Sequence, residues 1–174
     1  MHLHKFSWNE YFSGTAATTL SGKYSSRQNP TNSSVHVLNC LFDSFTSGST
    51  GGALYCTSAT SFLVEFSSFF SCKTSSSQGG AIYFENSGAQ SVLYGVCGYD
   101  CWSTYTSGSS YCQFAYIGAN NAITSKNYFN YSSVSRCLNE ISSSHYVLRL
   151  TNGNICCPSV NMSMNKCPCI SGAL

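Results

Sequence analysis

Charged side chains are scarce in this chain: they make up 8% of its 174 residues, against about 25% in an ordinary soluble domain. The eight basic residues are scattered singly from Lys5 to Lys166 and the net charge is only +2, so no basic stripe exists to follow a phosphate backbone, and nucleic acid is excluded as the expected partner. Long segments rich in Ala, Leu, Glu and Lys are missing as well, which argues against a helical protein. No apolar run is long enough to cross a membrane, and Met1 to Trp8 contain no core of a secretory signal. Glycine-rich phosphate loops and paired Cys-x-x-Cys zinc knuckles are also absent, so neither a cofactor nor a metal is expected.

Ser, Thr, Asn and Gly fill the space left by charge. With 14% aromatic and 43% apolar residues, the chain carries enough apolar surface to offset the entropy of ordering, unlike a Ser-rich linker. Eleven cysteines point to an oxidising compartment or to a metal. Sequons at Asn32, Asn130 and Asn161 are compatible with secretion.

The strongest signal is a repeat. Leu38 to Tyr55 aligns without a gap on Phe66 to Tyr83, with eight of eighteen positions identical at an offset of 28 residues. Extending that offset places Gly52, Gly80 and Gly108 in one column, Tyr55, Tyr83 and Tyr111 in a second, and Cys56, Phe84 and Cys112 in a third. Val64 and Phe66 recur as Val92 and Tyr94. Each unit holds short alternating segments, such as 62–66 and 81–84, between turn-forming stretches, which is the pattern of strands. Gly51, Gly52, Gly79 and Gly80 are expected at sharp turns where φ is positive. A propeller blade needs more residues, and a leucine-rich repeat would show its leucine spacing.

The architecture predicted is all-β, a right-handed parallel β-helix with about 28 residues per coil. Regular coils are expected over 35–112, with an amino-terminal cap or irregular coil over 1–34 and degenerate coils with a Cys-rich end over 113–174, in one domain. Phe6, Trp8, Tyr11 and Phe12 are expected to close the amino-terminal end of the stack. Ser171 to Leu174 look like the start of a further unit, so the chain reads as a piece of something larger.

Gly51-Gly-Ala-Leu54 and Gly79-Gly-Ala-Ile82 resemble the repeat of the polymorphic outer-membrane protein family, which pairs a Gly-Gly-Ala-Ile motif with Phe-x-x-Asn. Phe42 and Phe69 stand at the aromatic position, whereas Phe45 and Cys72 replace the Asn. The resemblance covers residues 35–112 and implies a parallel β-helix displayed on a cell surface with adhesion as its role, and no active site.

Candidate site residues follow from the columns. Tyr55, Tyr83 and Tyr111 should point outward as the candidate ligand surface, either offering ring faces to sugars or packing on one another. Asp43, Glu65, Glu85 and Asp100 do not align at 28, and glycoside cleavage needs two carboxyls roughly 5 to 9 Å apart; no catalytic residue is assigned. Cys72 and Cys101, 29 residues apart, are a candidate disulfide across adjacent coils, with Cys97 to Cys101 as the alternative. Cys156, Cys157, Cys167 and Cys169 cluster near the end as disulfides or buried thiols in preference to zinc ligands. His2 and His4 share one strand face but read as a frayed terminus.

The function expected is a non-catalytic surface or secreted β-helix segment for adhesion or binding to a cell-surface glycan or protein. The alternative is a pectin-lyase-like protein that binds or cleaves polysaccharide.

Overall fold

The computed structural model describes residues 8–75, 78–104, 111–137 and 145–165. Phe6, His2, His4, Gly108, Cys167, Cys169 and Ser171 to Leu174 lie outside them.

Apart from one short helix, α1 (Trp8–Tyr11), every described element is a strand. A lead-in strand, β1 (Thr18–Tyr24), precedes four turns. The first contains β2 (Ser34–Asp43), β3 (Thr46–Ser47) and β4 (Leu54–Cys56). The second has β5 (Ser61–Glu65), β6 (Ser68–Phe70), β7 (Lys73–Thr74) and β8 (Ile82–Glu85). The third has β9 (Gln90–Tyr94), β10 (Cys97–Tyr99), β11 (Trp102–Ser103) and β12 (Tyr111–Gly118). The fourth has β13 (Lys126–Asn130), β14 (Ser133–Ser135) and β15 (His145–Thr151), and β16 (Asn154–Cys156) and β17 (Asn161–Ser163) begin another.

All strand pairings are parallel, and each strand pairs with its equivalent in the next turn. One wall of the solenoid is β4, β8, β12 and β15; another is β3, β7 and β11. The ten-stranded sheet forms two further walls joined through β2, whose first half pairs with β5 and whose second half pairs with β6. Among the described residues no helix is long and apolar enough to cross a membrane.

Coil length is less regular than the 28-residue repeat predicts. Ser34 pairs with Ser61, 27 residues on, Ser61 with Gln90 at 29, Ser91 with Asn127 at 36, and Lys126 with Asn154 at 28. Two expected columns are corrected by this slippage. Val92 pairs with Leu63, not Val64, and Tyr94 with Glu65, not Phe66; because side chains alternate sides, a one-residue shift moves each to the other face. On the wall of β4 and β8, the offset of 28 holds from Leu54 to Ile82 but becomes 33 from Ile82 to Ala115. The strand partner of Tyr83 is therefore Tyr116, and Phe84 pairs with Ile117 and not with Cys112.

Corners are made by left-handed residues stacked in columns. Asn39, Phe66, Gly95, Tyr131 and Ser159 occupy one, and Ser44, Ser71, Asp100, Arg136 and Met164 another, all with φ between 47° and 61°. Only Gly95 is a glycine, so the bend is imposed on residues that disfavour it by about 1–2 kcal/mol each. The paired glycines solve a different problem. Gly51 and Gly79 have φ of 70° and 64°. Gly52 and Gly80 do not; a Cβ there would lie 2.0 Å from the Gly80 oxygen and 2.1 Å from the Gln113 oxygen respectively, because the next coil passes directly against them.

The interior is a continuous apolar column. Phe42 stacks on Phe69 at 4.7 Å between centroids, and Phe62 on Phe84 at 4.5 Å, all four fully buried. Where Gly98 follows Phe69 in the stack, the Phe114 ring fills the vacated volume. The amino-terminal aromatics do not close the end of the stack as predicted. Trp8 and Phe12 pack with Leu63 and Val92 on the outside of the β5 and β9 wall, so α1 covers a face and makes outward apolar residues buried.

Candidate functional site

The wall of β4, β8, β12 and β15 places one outward residue per turn in register. Tyr55 pairs with Tyr83, Tyr83 with Tyr116 and Tyr116 with Arg149. Tyr111, expected in this column, lies five residues upstream of Tyr116 and pairs through its backbone with His145. The displacement comes from extra residues at the corner between β11 and β12, which the 28-residue offset does not anticipate.

The three rings form a ladder. Tyr55 and Tyr83 are 5.5 Å apart with planes inclined by 10°, and Tyr83 and Tyr116 are 5.2 Å apart at 13°. A guanidinium stands at each end: Arg27 lies 4.5 Å from the Tyr55 centroid and Arg149 lies 5.6 Å from that of Tyr116. Arg27 belongs to the column because Gln28, its neighbour, bridges to Leu54. Ring faces therefore meet other rings or cations, and what the ladder turns to solvent is edges and hydroxyls.

Glu85 organises those hydroxyls. Tyr83 Oη donates to Glu85 Oε2, and Tyr116 Oη donates to Oε1 at 3.2 Å. Burial first, and the bond to Glu85 second, push the Tyr83 phenol above its usual 10.0. Beside the first rung an open cleft of about 410 Å³ is lined by Arg27, Gly48, Ser49, Thr50 and Tyr55.

The remaining carboxylates are not gathered into a pair. Asp43 accepts from Lys23 at 2.9 Å and from Ser44 at 2.6 Å. Asp100 accepts from Ser71 at 2.8 Å and lies 3.4 Å from Lys73. Glu65, fully buried, binds His36 Nε2 through Oε2 at 2.7 Å beneath α1. Its Oε1 and the indole Nε1 of Trp8 are both buried without a hydrogen-bond partner among the described residues. This His–Glu pair is the feature the sequence reasoning missed, since neither residue belongs to a recognisable motif and they meet only because they lie on adjacent strands of one wall.

Cysteines form a second column, inside the molecule. Cys72, Cys101 and Cys137 recur once per turn, each fully buried. The column starts at Phe45 and ends at Asn165, whose Oδ1 accepts the Cys137 amide at 2.9 Å. Cys72 Sγ donates to the Phe70 oxygen at 3.3 Å, Cys101 Sγ to Phe69 at 3.3 Å and Cys137 Sγ to Ser135 at 3.4 Å. The expected bridge between Cys72 and Cys101 is not formed; both are free thiols, as is Cys97. They do face each other across adjacent coils, and their thiols satisfy backbone carbonyls instead. The neighbouring Cys101 thiol and burial push Cys72 up, and burial with Cys101 pushes Cys137 up. Exposed Cys97, Cys156 and Cys157 are the accessible thiols among the described residues, and no group of three or more His, Cys, Asp or Glu among them is arranged to hold a metal.

The chain matches no known family model, no curated protein and no solved structure.

Proposed function

We propose that this chain is a non-catalytic β-solenoid segment, displayed on a cell surface or secreted, that binds a partner through the outward tyrosine wall. The observation that carries the reading is the ladder of Tyr55, Tyr83 and Tyr116 ended by Arg27 and Arg149. Tyr and Arg are the residues that most often dominate interfaces, because each combines a large apolar face with directional donors. The resemblance to the polymorphic outer-membrane repeat supports the same role, and its Gly-Gly-Ala-Ile motif has a physical task here: glycines admit the next coil, and Leu54 and Ile82 fill the core.

The test is binding of the labelled chain to arrays of cell-surface glycans and proteins. Replacing Tyr55, Tyr83 and Tyr116 together with serine is expected to weaken any hit by about tenfold or more, with the β-sheet circular dichroism retained. Binding that survives this change removes the reading. The surface location is tested by counting thiols in the protein from its native cell: eleven reduced cysteines would overturn it.

A second reading, polysaccharide binding, is favoured by a different wall. Phe70 and Tyr99 are 40% and 38% exposed, pair in register, and incline at 44° instead of stacking flat. Their faces are thus freer for a sugar ring than those of the tyrosine ladder. Phe70→Ser with Tyr99→Ser should abolish polysaccharide retention in affinity electrophoresis if this wall is used.

A further inference from the structure

The first rung of the tyrosine ladder holds a cation without a counter-charge. Arg27 is half-buried, stacked 4.5 Å from the Tyr55 centroid. Its Nε donates to the Gly51 oxygen and its Nη2 to the Thr50 oxygen, both at 2.9 Å. Ring and carbonyls fix the plane of the guanidinium and occupy one edge of its five-donor fork. Both acceptors are neutral. The ion pairs among the described residues, Lys23 with Asp43, His36 with Glu65 and Lys73 with Asp100, leave Arg27 out.

A guanidinium removed from water without an anion is unfavourable, and burial lowers the Arg27 pKa from its usual value. The same side chain lines the open cleft of about 410 Å³, with Ser49 and the Tyr55 ring on its walls and Gly48 leaving room at the rim. That volume falls within the range of small-molecule sites. A planar fork held rigid against an aromatic ring and presented to a cleft is the arrangement that recognises planar or tetrahedral oxyanions through paired charge-assisted hydrogen bonds.

We infer that the cleft between Arg27 and the 48–50 turn is a binding site for an oxyanion group, sulfate or carboxylate, carried by a small polar ligand. Arg27 supplies the charge and the donor pair, and the cleft accommodates the body of the ligand. The inference rests on the binding reading of the tyrosine wall for its role, since the site forms the end of that ladder. The two fail separately, because anion occupancy is measured here on the isolated chain without any macromolecular partner.

The experiment is a titration of the full chain at fixed ionic strength with inorganic sulfate, acetate, glucose 6-sulfate and neutral glucose, read by NMR at the Arg27 Hε and the amides of Ser49 and Gly51. Sulfate and acetate are expected to shift these signals saturably, glucose 6-sulfate to bind more tightly if the ligand body is a sugar, and glucose to shift nothing. Arg27→Gln should weaken sulfate at least tenfold, while Arg149→Gln at the far end of the ladder should leave it within twofold. Because Arg27 also holds the 50–51 backbone, a second variant is needed: Ser49→Asp supplies a carboxylate inside the cleft, and should remove sulfate binding while leaving the fold intact. Unsaturable shifts, equal shifts around Arg149, or unchanged sulfate binding in Ser49→Asp would each overturn the assignment.

Discussion

The first two turns and the last two share the same columns and fill them by different means. In the early turns the interior positions are Val35 and Phe62, and Phe42 and Phe69, closed by flat aromatic stacking. Further along, the same columns hold Ser91 and Asn127, and Gly98 and Val134. There Ser91 donates to Asn127 Oδ1 at 3.1 Å, and Asn127 Nδ2 caps the Thr151 and Asn152 oxygens at 3.0 Å each. The lesson is that the parallel backbone ladder defines the rung, while its side chains need only be mutually satisfied, by dispersion or by hydrogen bonds. The corners, where chain length is unconstrained by pairing, absorb the difference between 27 and 36 residues.

Breaking the contrast begins at the glycine corner. Gly80→Ala in the early register should abolish folding, since its Cβ would meet the backbone of Gln113 at 2.1 Å and Trp102 at 2.6 Å. Gln113 itself occupies the equivalent place one turn later, so Gln113→Ala should cost only about 1–3 kcal/mol, the loss of the acceptor for the buried Ser103 amide. Urea denaturation of both variants decides the comparison, and similar losses would contradict it. Next in size is Phe69→Ala, expected to cost about 3–5 kcal/mol through the cavity it opens in the stack. Its counterpart Gly98→Ala should cost about 1–3 kcal/mol, because the new methyl falls 2.4 Å from a Phe114 ring that has to turn aside.

A smaller effect of opposite sign is expected at the last left-handed corner. Met164, at φ 57° and 66% exposed, should gain about 0.5–1 kcal/mol as Met164→Gly, since relief of the left-handed penalty exceeds the added backbone entropy. A decrease in melting temperature would show that the corner is not strained. The gentlest test is pH. Burial pushes the Cys40 thiol up from 9.0 to about 11. The unfolded thiol ionises first, so the stability this group contributes is complete below pH 9 and is lost as pH climbs towards 11. Urea midpoints should fall between pH 8.5 and 10.5 and the fall should shrink in Cys40→Ala.

Part of this architecture was legible because two neighbouring turns happen to have nearly equal length. The match of Gly51 to Tyr55 with Gly79 to Tyr83 is a true register, and alternation correctly sent Leu54, Cys56, Ile82 and Phe84 inward. The same ungapped alignment set Phe42 opposite Phe70, whereas the strands place Phe42 on Phe69 and leave Phe70 40% exposed. Residue identity was misleading there, because a period of two turns a single omitted residue into an inversion of faces. For the candidate site, Tyr55 and Tyr83 were legible, Tyr116 was hidden by the longer corner, and Arg27 carried no motif at all.

Local residue chemistry determined by itself that this chain is a β-rich, turn-rich stack with an apolar interior, since alternation and glycine placement act over a few residues. Only the folded stack decided which side chains meet from turn to turn: the arginine-ended tyrosine ladder, the thiol column from Cys72 to Cys137, and His36 on Glu65 beneath α1. The reason is that lateral neighbours in a solenoid are set by strand register some thirty residues apart, and register sums every corner in between, so one inserted residue rewrites a contact without altering any local propensity.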